Sequence, residues 1–126
     1  MLSAMEFSVE FYINASGRAP VQQFLDELKK TDPGDHASVL RGLEKLRHRQ
    51  YHRPPLCKAL GNGLFELRHV GKLNTRVLWF FVRDRRIVAV HGIRNKSRAI
   101  PARDLGIAED RMQDWHGRFE NEKDEL

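Results

Sequence analysis

At 126 residues the chain is near the size of one domain, long enough to bury a core of a few helices on a sheet but too short for two independent cores. Its 40% hydrophobic and 31% charged residues are the proportions of a soluble globular protein, and the longest apolar run, Val77 to Val82, is far too short to cross a bilayer. The net charge is +5, and the single cysteine, Cys57, excludes both an internal disulfide and paired-cysteine metal spacing, which leads to the expectation of a reducing, cytoplasmic compartment.

The first expected element is a strand at about residues 6–13, where Phe7, Val9 and Phe11 alternate with Ser8, Glu10 and Tyr12. The residues before it carry neither the basic start nor the continuous apolar stretch of a secretory leader. The terminal Lys123-Asp124-Glu125-Leu126, which spells a retention signal of the endoplasmic reticulum, is therefore read as part of a solvated acidic tail over 120–126. Pro20 suits a first helical turn, and Val21, Phe24, Leu25 and Leu28 fall on one helical face. Asp32-Pro33 repeats the signal, with Asp32 as N-cap and Val39, Leu40, Leu43 and Leu46 as the apolar stripe of a second helix that forms a hairpin with the first. His52-Arg53-Pro54-Pro55 ends that helix, and Gly61-Asn62-Gly63 is a turn. His48 and His52 have i, i+4 spacing but no third ligand, so they are read as solvated basic surface and no metal site is assigned.

Three strands follow at about 64–70, 74–83 and 86–93, joined by loops short enough to require antiparallel hairpins. A three-residue loop at 71–73 puts Arg68 opposite Arg76 on one face, whereas a two-residue loop puts them on opposite faces. The sequence alone does not choose, but a shared basic site requires the former. A two-residue loop at Asp84-Arg85 would pair Arg83 with Arg86, set His91 opposite Leu78 and Ile93 opposite Arg76, and give His91 and Arg76 a common face. Strand 74–83 is apolar on both faces, so it is expected at the centre of the sheet with cover on both sides. A last helix from about Pro101 to Phe119 carries the stripe Leu105, Ala108, Met112, Trp115 and Phe119, which either packs on the sheet or docks a partner. The expected fold is α+β, an antiparallel sheet of about four strands with an N-terminal helical hairpin and a C-terminal helix, in the order β-α-α-β-β-β-α.

The charge is concentrated in the strands. Residues 64–103 hold ten Lys and Arg against Glu66 and Asp84 alone, whereas residues 104–126 sum to −5. A sheet that gathers Arg68, Arg76, Arg94, Lys96 and Arg98 would attract a polyanion and stabilise charge developing on a phosphate. Arg83, Asp84, Arg85 and Arg86 form a hairpin tip that is most simply solvated, and Glu66 either orients Arg68 or Arg76 or simply pairs with one of them.

The strings Leu60-Gly61-Asn62-Gly63-Leu64-Phe65-Glu66-Leu67-Arg68, Arg76-Val77 before the aromatic strand, and Ile87-Val88-Ala89-Val90-His91-Gly92 followed by a basic run to Pro101 resemble the RelE/ParE toxin superfamily. Within it they resemble the HigB-like branch, also called phage-derived Gp49-like proteins. That resemblance implies a RelE-like fold and a ribosome-dependent messenger RNA endonuclease, held inactive by a helix-turn-helix, HigA-like antitoxin. It implies no metal and no other cofactor, because the RNA 2′-hydroxyl is the nucleophile; the expectation of no membrane partner rests on the short apolar runs noted above. Carried over by position, Arg68 and Arg76 match the family's sheet arginines and are assigned to transition-state charge, with His91 and Lys96 as acid or base candidates. Arg94, Arg98, Lys72, Arg83, Arg85 and Arg86 complete the expected RNA contacts. Arg76 begins the central strand beyond its apolar stretch, so its head is expected in solvent and its truncation is expected to spare the fold. The chain departs from the family pattern at Asn95-Lys96-Ser97-Arg98-Ala99-Ile100-Pro101, where relatives carry two more lysines and a capping threonine, and it has no late tyrosine. Two other readings stay open: a ParE-like inhibitor that binds DNA gyrase, and an RNA-binding module without catalysis.

Overall fold

The computed structural model describes residues 6–71 and 73–120. Lys72 and the acidic residues 121–126, including the retention-like string, lie outside the described residues. A five-stranded sheet carries a helical hairpin on one face and the C-terminal helix on the other. The elements are β1 (Ser8–Phe11), α1 (Pro20–Thr31), α2 (Pro33–Lys45), β2 (Cys57–Gly61), β3 (Leu64–Val70), β4 (Asn74–Val82), β5 (Arg86–Asn95) and α3 (Ala102–Trp115). A single-turn 3₁₀ helix, Arg49–Tyr51, follows α2, and a π-helical turn, His116–Glu120, extends α3.

Both helices of the hairpin begin as their prolines dictate. Pro20 and Pro33 occupy first-turn positions, where the missing N–H costs nothing. Asp32 caps α2 by accepting from the Asp35 backbone N–H at 3.1 Å. The N-cap of α3 is Pro101, one residue beyond the expected Ile100, and the helix starts without a side-chain cap because proline has no side-chain acceptor. Of the expected α2 stripe, Val39, Leu43 and Leu46 are buried, but Leu40 is exposed.

The sheet runs β1-β5-β4-β3-β2. It differs from the expected four antiparallel strands in two ways. Cys57–Gly61 adds an edge strand against β3, and β1 pairs with β5 in parallel, because the chain crosses two helices before entering the sheet at the opposite edge. The β3–β4 turn is the three-residue form, with Val70 opposite Asn74 and Arg68 opposite Arg76. At the β4–β5 turn the expected Arg83–Arg86 pairing is replaced by Val82 opposite Arg86. The turn has three residues, two of which, Asp84 and Arg85, adopt left-handed φ values of 63° and 56°. A bulge between Leu78 and Trp79 in the ladder then restores the lost residue, so His91 still faces Leu78 and Ile93 still faces Arg76.

Strand β4 is central, and its alternation divides the core in two. Val77 and Trp79 join Leu67, Ile87 and Ala89 beneath Val21, Leu25, Leu28, Val39, Leu43 and Leu46 of the hairpin side. Leu78 and Phe80 join Leu64, Val88, Val90 and Ile93 beneath Ala108 and Trp115 of α3, with Leu105 and Met112 packed alongside. The α3 stripe is thus core packing up to Trp115, while Phe119 is 42% exposed. His52, expected as solvated surface, instead packs against Phe7 and Trp79 at ring distances of 4.7 and 5.5 Å and turns its Nε2 to the Leu46 carbonyl.

Gly92 is set by the contact of α1 with the sheet: a Cβ there would lie 2.4 Å from Phe24 Cδ2. We predict that Gly92→Ala lowers stability by about 1–3 kcal/mol through overpacking, measured by urea unfolding. Pairing it with Phe24→Leu should recover part of the loss, and additive losses would show that the two positions do not meet.

Candidate active site

On the α3 face the β3–β4 register brings Glu66, Arg68 and Arg76 into one row. Glu66 is 2% exposed and takes charge from both arginines. Arg68 Nη2 donates to Oε1 at 3.2 Å, and Arg76 Nε lies 3.3 Å from Oε2, close enough for charge pairing but off the line of a hydrogen bond. The rest of the Arg76 guanidinium is spent on the loop after β5. Its Nη2 donates to the Ser97 carbonyl at 2.7 Å and to the Arg98 carbonyl, and its Nη1 reaches Asn95 Oδ1 at 3.4 Å. Arg76 is 1% exposed, so the expectation that its head stands in solvent is corrected. The segment Asn95–Arg98 closes over the end of β4 that the sequence leaves open. Arg68, by contrast, keeps 38% of its side chain exposed.

His91 shares the Arg76 face as expected, but its ring is engaged on both sides. Nδ1 lies 3.0 Å from Arg111 Nη1, which can only donate, so Nδ1 accepts and Nε2 carries the proton toward Asp104 Oδ1 at 2.8 Å. The same Arg111 Nη1 donates to the Val90 carbonyl at 2.7 Å. Burial lowers the His91 pKa against the pull of the Asp104 hydrogen bond, and the Arg111 charge lowers it further. His91 therefore fastens α3 to β5 as a neutral ring.

The remaining basic residues do not form one site. Lys96 and Arg98 are exposed on the loop that Arg76 clamps. Arg94 faces the other way: it donates to Asp32 Oδ2 at 2.6 Å and to Asp35 Oδ2 at 3.2 Å beneath the helical hairpin, so its expected grouping with Arg68 and Arg76 is corrected. Arg83 and Arg85 are exposed at the β4–β5 turn, at the opposite end of β4 from Arg76, and Arg86 is committed to Glu10 at 2.9 and 3.0 Å. Asp35, Thr75 and His69 complete the Arg94 network, and the sequence reading missed all three. Asp35 reads locally as a first-turn acid of α2, and only the fold brings it to Thr75, 40 positions away.

Comparison with known families decides the relationship. Residues 26–113, more than two thirds of the chain, match the family described as Phage derived protein Gp49-like (DUF891). The chain belongs to this family. The Gp49-like family lies within the RelE/HigB-like toxin superfamily and is associated with toxin–antitoxin systems, which implies an antitoxin partner. No curated protein matches the chain significantly. The Gp49-like region runs from within α1 to near the end of α3 and so contains Arg68, Arg76, His91 and Lys96. Among the described residues, no helix is long and apolar enough to cross a membrane.

Two outcomes follow from the Gp49-like geometry. Arg76→Ala should destabilise the fold by about 3–5 kcal/mol, because it removes the charge partner of the buried Glu66 Oε2 and the donor to two loop carbonyls, with Arg68 left to hold Oε1 alone. Chemical unfolding of Arg76→Ala beside Glu66→Gln/Arg76→Met should place most of that loss in the single variant. For His91, a folded-state pKa below the unfolded value means that the unfolded chain binds more protons as pH falls through about 6.5. Stability should therefore decline as pH falls from 7.5 to 5.5, and His91→Gln should flatten that slope in urea titrations; an unchanged slope would place the proton uptake elsewhere.

Proposed function

We propose that this Gp49-like chain is a toxin that cleaves messenger RNA on the ribosome, through attack of the 2′-hydroxyl on the adjacent phosphate, and that a helix-turn-helix, HigA-like antitoxin neutralises it. One observation carries the reading: a single buried guanidinium, Arg76, touches both the carboxylate that holds Arg68 and the carbonyls of the loop that bears Lys96 and Arg98. The exposed cations on the two sides of the clamp are thereby held at one end of the sheet. In this reading Arg68 supplies a forked contact to the phosphate, and Lys96 and Arg98 supply point and planar charge. Arg76 is a positioning residue, and His91 acts through α3. A sparse set of this kind depends on the ribosome to bring the message into line.

The test is induction of the chain with mapping of cleaved 5′ ends on translated and untranslated copies of one message. Translated copies should be cut and free RNA left intact, and co-expression of the antitoxin should restore growth. Arg68→Ala should lower the cutting rate roughly 10²-fold, the scale of one lost stabilising donor, in a chain that stays folded at the assay temperature although its melting temperature falls with the lost Glu66 partner. Growth arrest without cut message, undiminished in Arg68→Ala, would favour an inhibitor that acts by binding a protein.

A further inference from the structure

On the hairpin side of the sheet, α2 and the end of β3 frame a cleft of about 240 Å³ that Arg68 also reaches. Arg41 and Lys45 of α2 and Arg68 and His69 of β3 line it, and among the described residues no carboxylate does. Gly42 lets α2 lie directly on the sheet here, since a Cβ would come 3.2 Å from Leu67 Cδ1. The lining is therefore cationic and held by a close helix–sheet contact.

His69 is the titratable ring in this cleft, and a carboxylate stands behind it. Its Nε2 lies 3.0 Å from Asp35 Oδ1, a buried oxygen with no hydrogen-bond donor among the described residues, close enough for charge pairing but off the line of a hydrogen bond. The second oxygen of Asp35 is fixed by the Thr75 hydroxyl at 2.6 Å and by Arg94 Nε at 3.2 Å, and Arg94 is itself held by Asp32. The His69 side chain is 34% exposed, and its Nδ1 has no partner among the described residues. A carboxylate fixed at this distance favours the tautomer with its proton on Nε2, which leaves Nδ1 as an acceptor. The charged groups around the ring are Asp35, Arg41 and Lys45 from α2, Arg68 beside it on β3, and Arg94 of β5 behind Asp35.

We propose that this cleft holds the RNA backbone at the scissile phosphate and that His69, oriented by Asp35, is the general base of the cleavage. The assignment rests on the endonuclease reading above and gives it a proton acceptor on the opposite sheet face from His91. The 2′-hydroxyl gives its proton to His69 Nδ1 as O2′ bonds to phosphorus. The bond from phosphorus to O5′ breaks, and O5′ leaves with a proton from water. The products are a 2′,3′-cyclic phosphate and a 5′-hydroxyl end. Arg41, Lys45 and Arg68 balance the charge on the phosphate, and Asp35 is a positioning residue.

The experiment is single-turnover cleavage of a message on programmed ribosomes by wild type and His69→Ala, with and without added imidazole, and with ribosome binding and thermal melts measured in parallel. His69→Ala should cut about 10²–10⁴-fold more slowly, bind ribosomes as wild type does, and regain rate with imidazole. If His69→Ala does not fold, His69→Gln, which keeps the ring's volume and a donor for Asp35, is compared with wild type, and the expected result is the same loss at unchanged binding. If wild type itself leaves the translated message intact, the endonuclease reading falls and takes this assignment with it. If wild type cuts and the variant remains within about threefold of it, or loses rate only in step with lost binding, the His69 assignment alone is overturned.

Discussion

The buried Arg76 guanidinium is the interaction on which the candidate site depends. It lies beside Glu66 on the neighbouring strand and donates to two carbonyls of the loop that leads into α3. Burying a charge of this kind is costly unless it is paired and its N–H groups are used. The cost is offset because one group balances the charge of a carboxylate and donates to two loop carbonyls together. The entry to α3, which has no side-chain cap, is fixed by this clamp, and so are the positions of Lys96 and Arg98 relative to Arg68.

The two faces of the sheet repeat one solution. On the α3 face, Arg111 and Asp104 hold the His91 ring between strand and helix. On the hairpin face, Asp32 and Asp35 take Arg94, Thr75 and His69 from three strands. Each network ties a helical layer to the sheet at the end where the apolar core runs out, and each uses charge that composition alone would assign to a ligand. Exposed cations that the networks do not consume include Arg41 and Lys45 beside the cleft and Lys96 and Arg98 on the loop, while Arg68, paired with Glu66, keeps part of its side chain in solvent. Cys57 belongs to neither set, because burial pushes its thiol up to about 12 and leaves it inert at neutral pH.

Local signals were sufficient for much of the fold. Proline and Asp32 fix the helix starts, the alternation of β4 gives a strand covered on both faces, and the strings around Arg68, Arg76 and His91 carry the family that the comparison confirms. The 71–73 loop contains the Arg68–Arg76 register as one of two options, and only the pairing along the whole β3–β4 ladder selects it. The β4–β5 turn was misread by one residue because left-handed backbone at Asp84 and Arg85 leaves no mark in their residue types, and the compensating bulge is a long-range event. Strand β2 was missed because Cys57–Gly61 is short and largely exposed, and only pairing with β3 makes it a strand.

The sequence by itself determined which residues are charged, which stretches alternate, and which family the chain resembles. Tertiary structure alone decided which of those charges are available. A guanidinium reads the same in the chain whether it ends in solvent, as part of Arg68 does, or against carbonyls contributed 21 and 22 positions later, as Arg76 does. Burial and partner choice arise from contacts between segments distant in the chain, and neither local periodicity nor local composition encodes them. For the same reason His91, singled out by its string, proves to be a fastening between helix and strand, while His69, which stands in no motif, meets a fixed carboxylate at the edge of a cationic cleft.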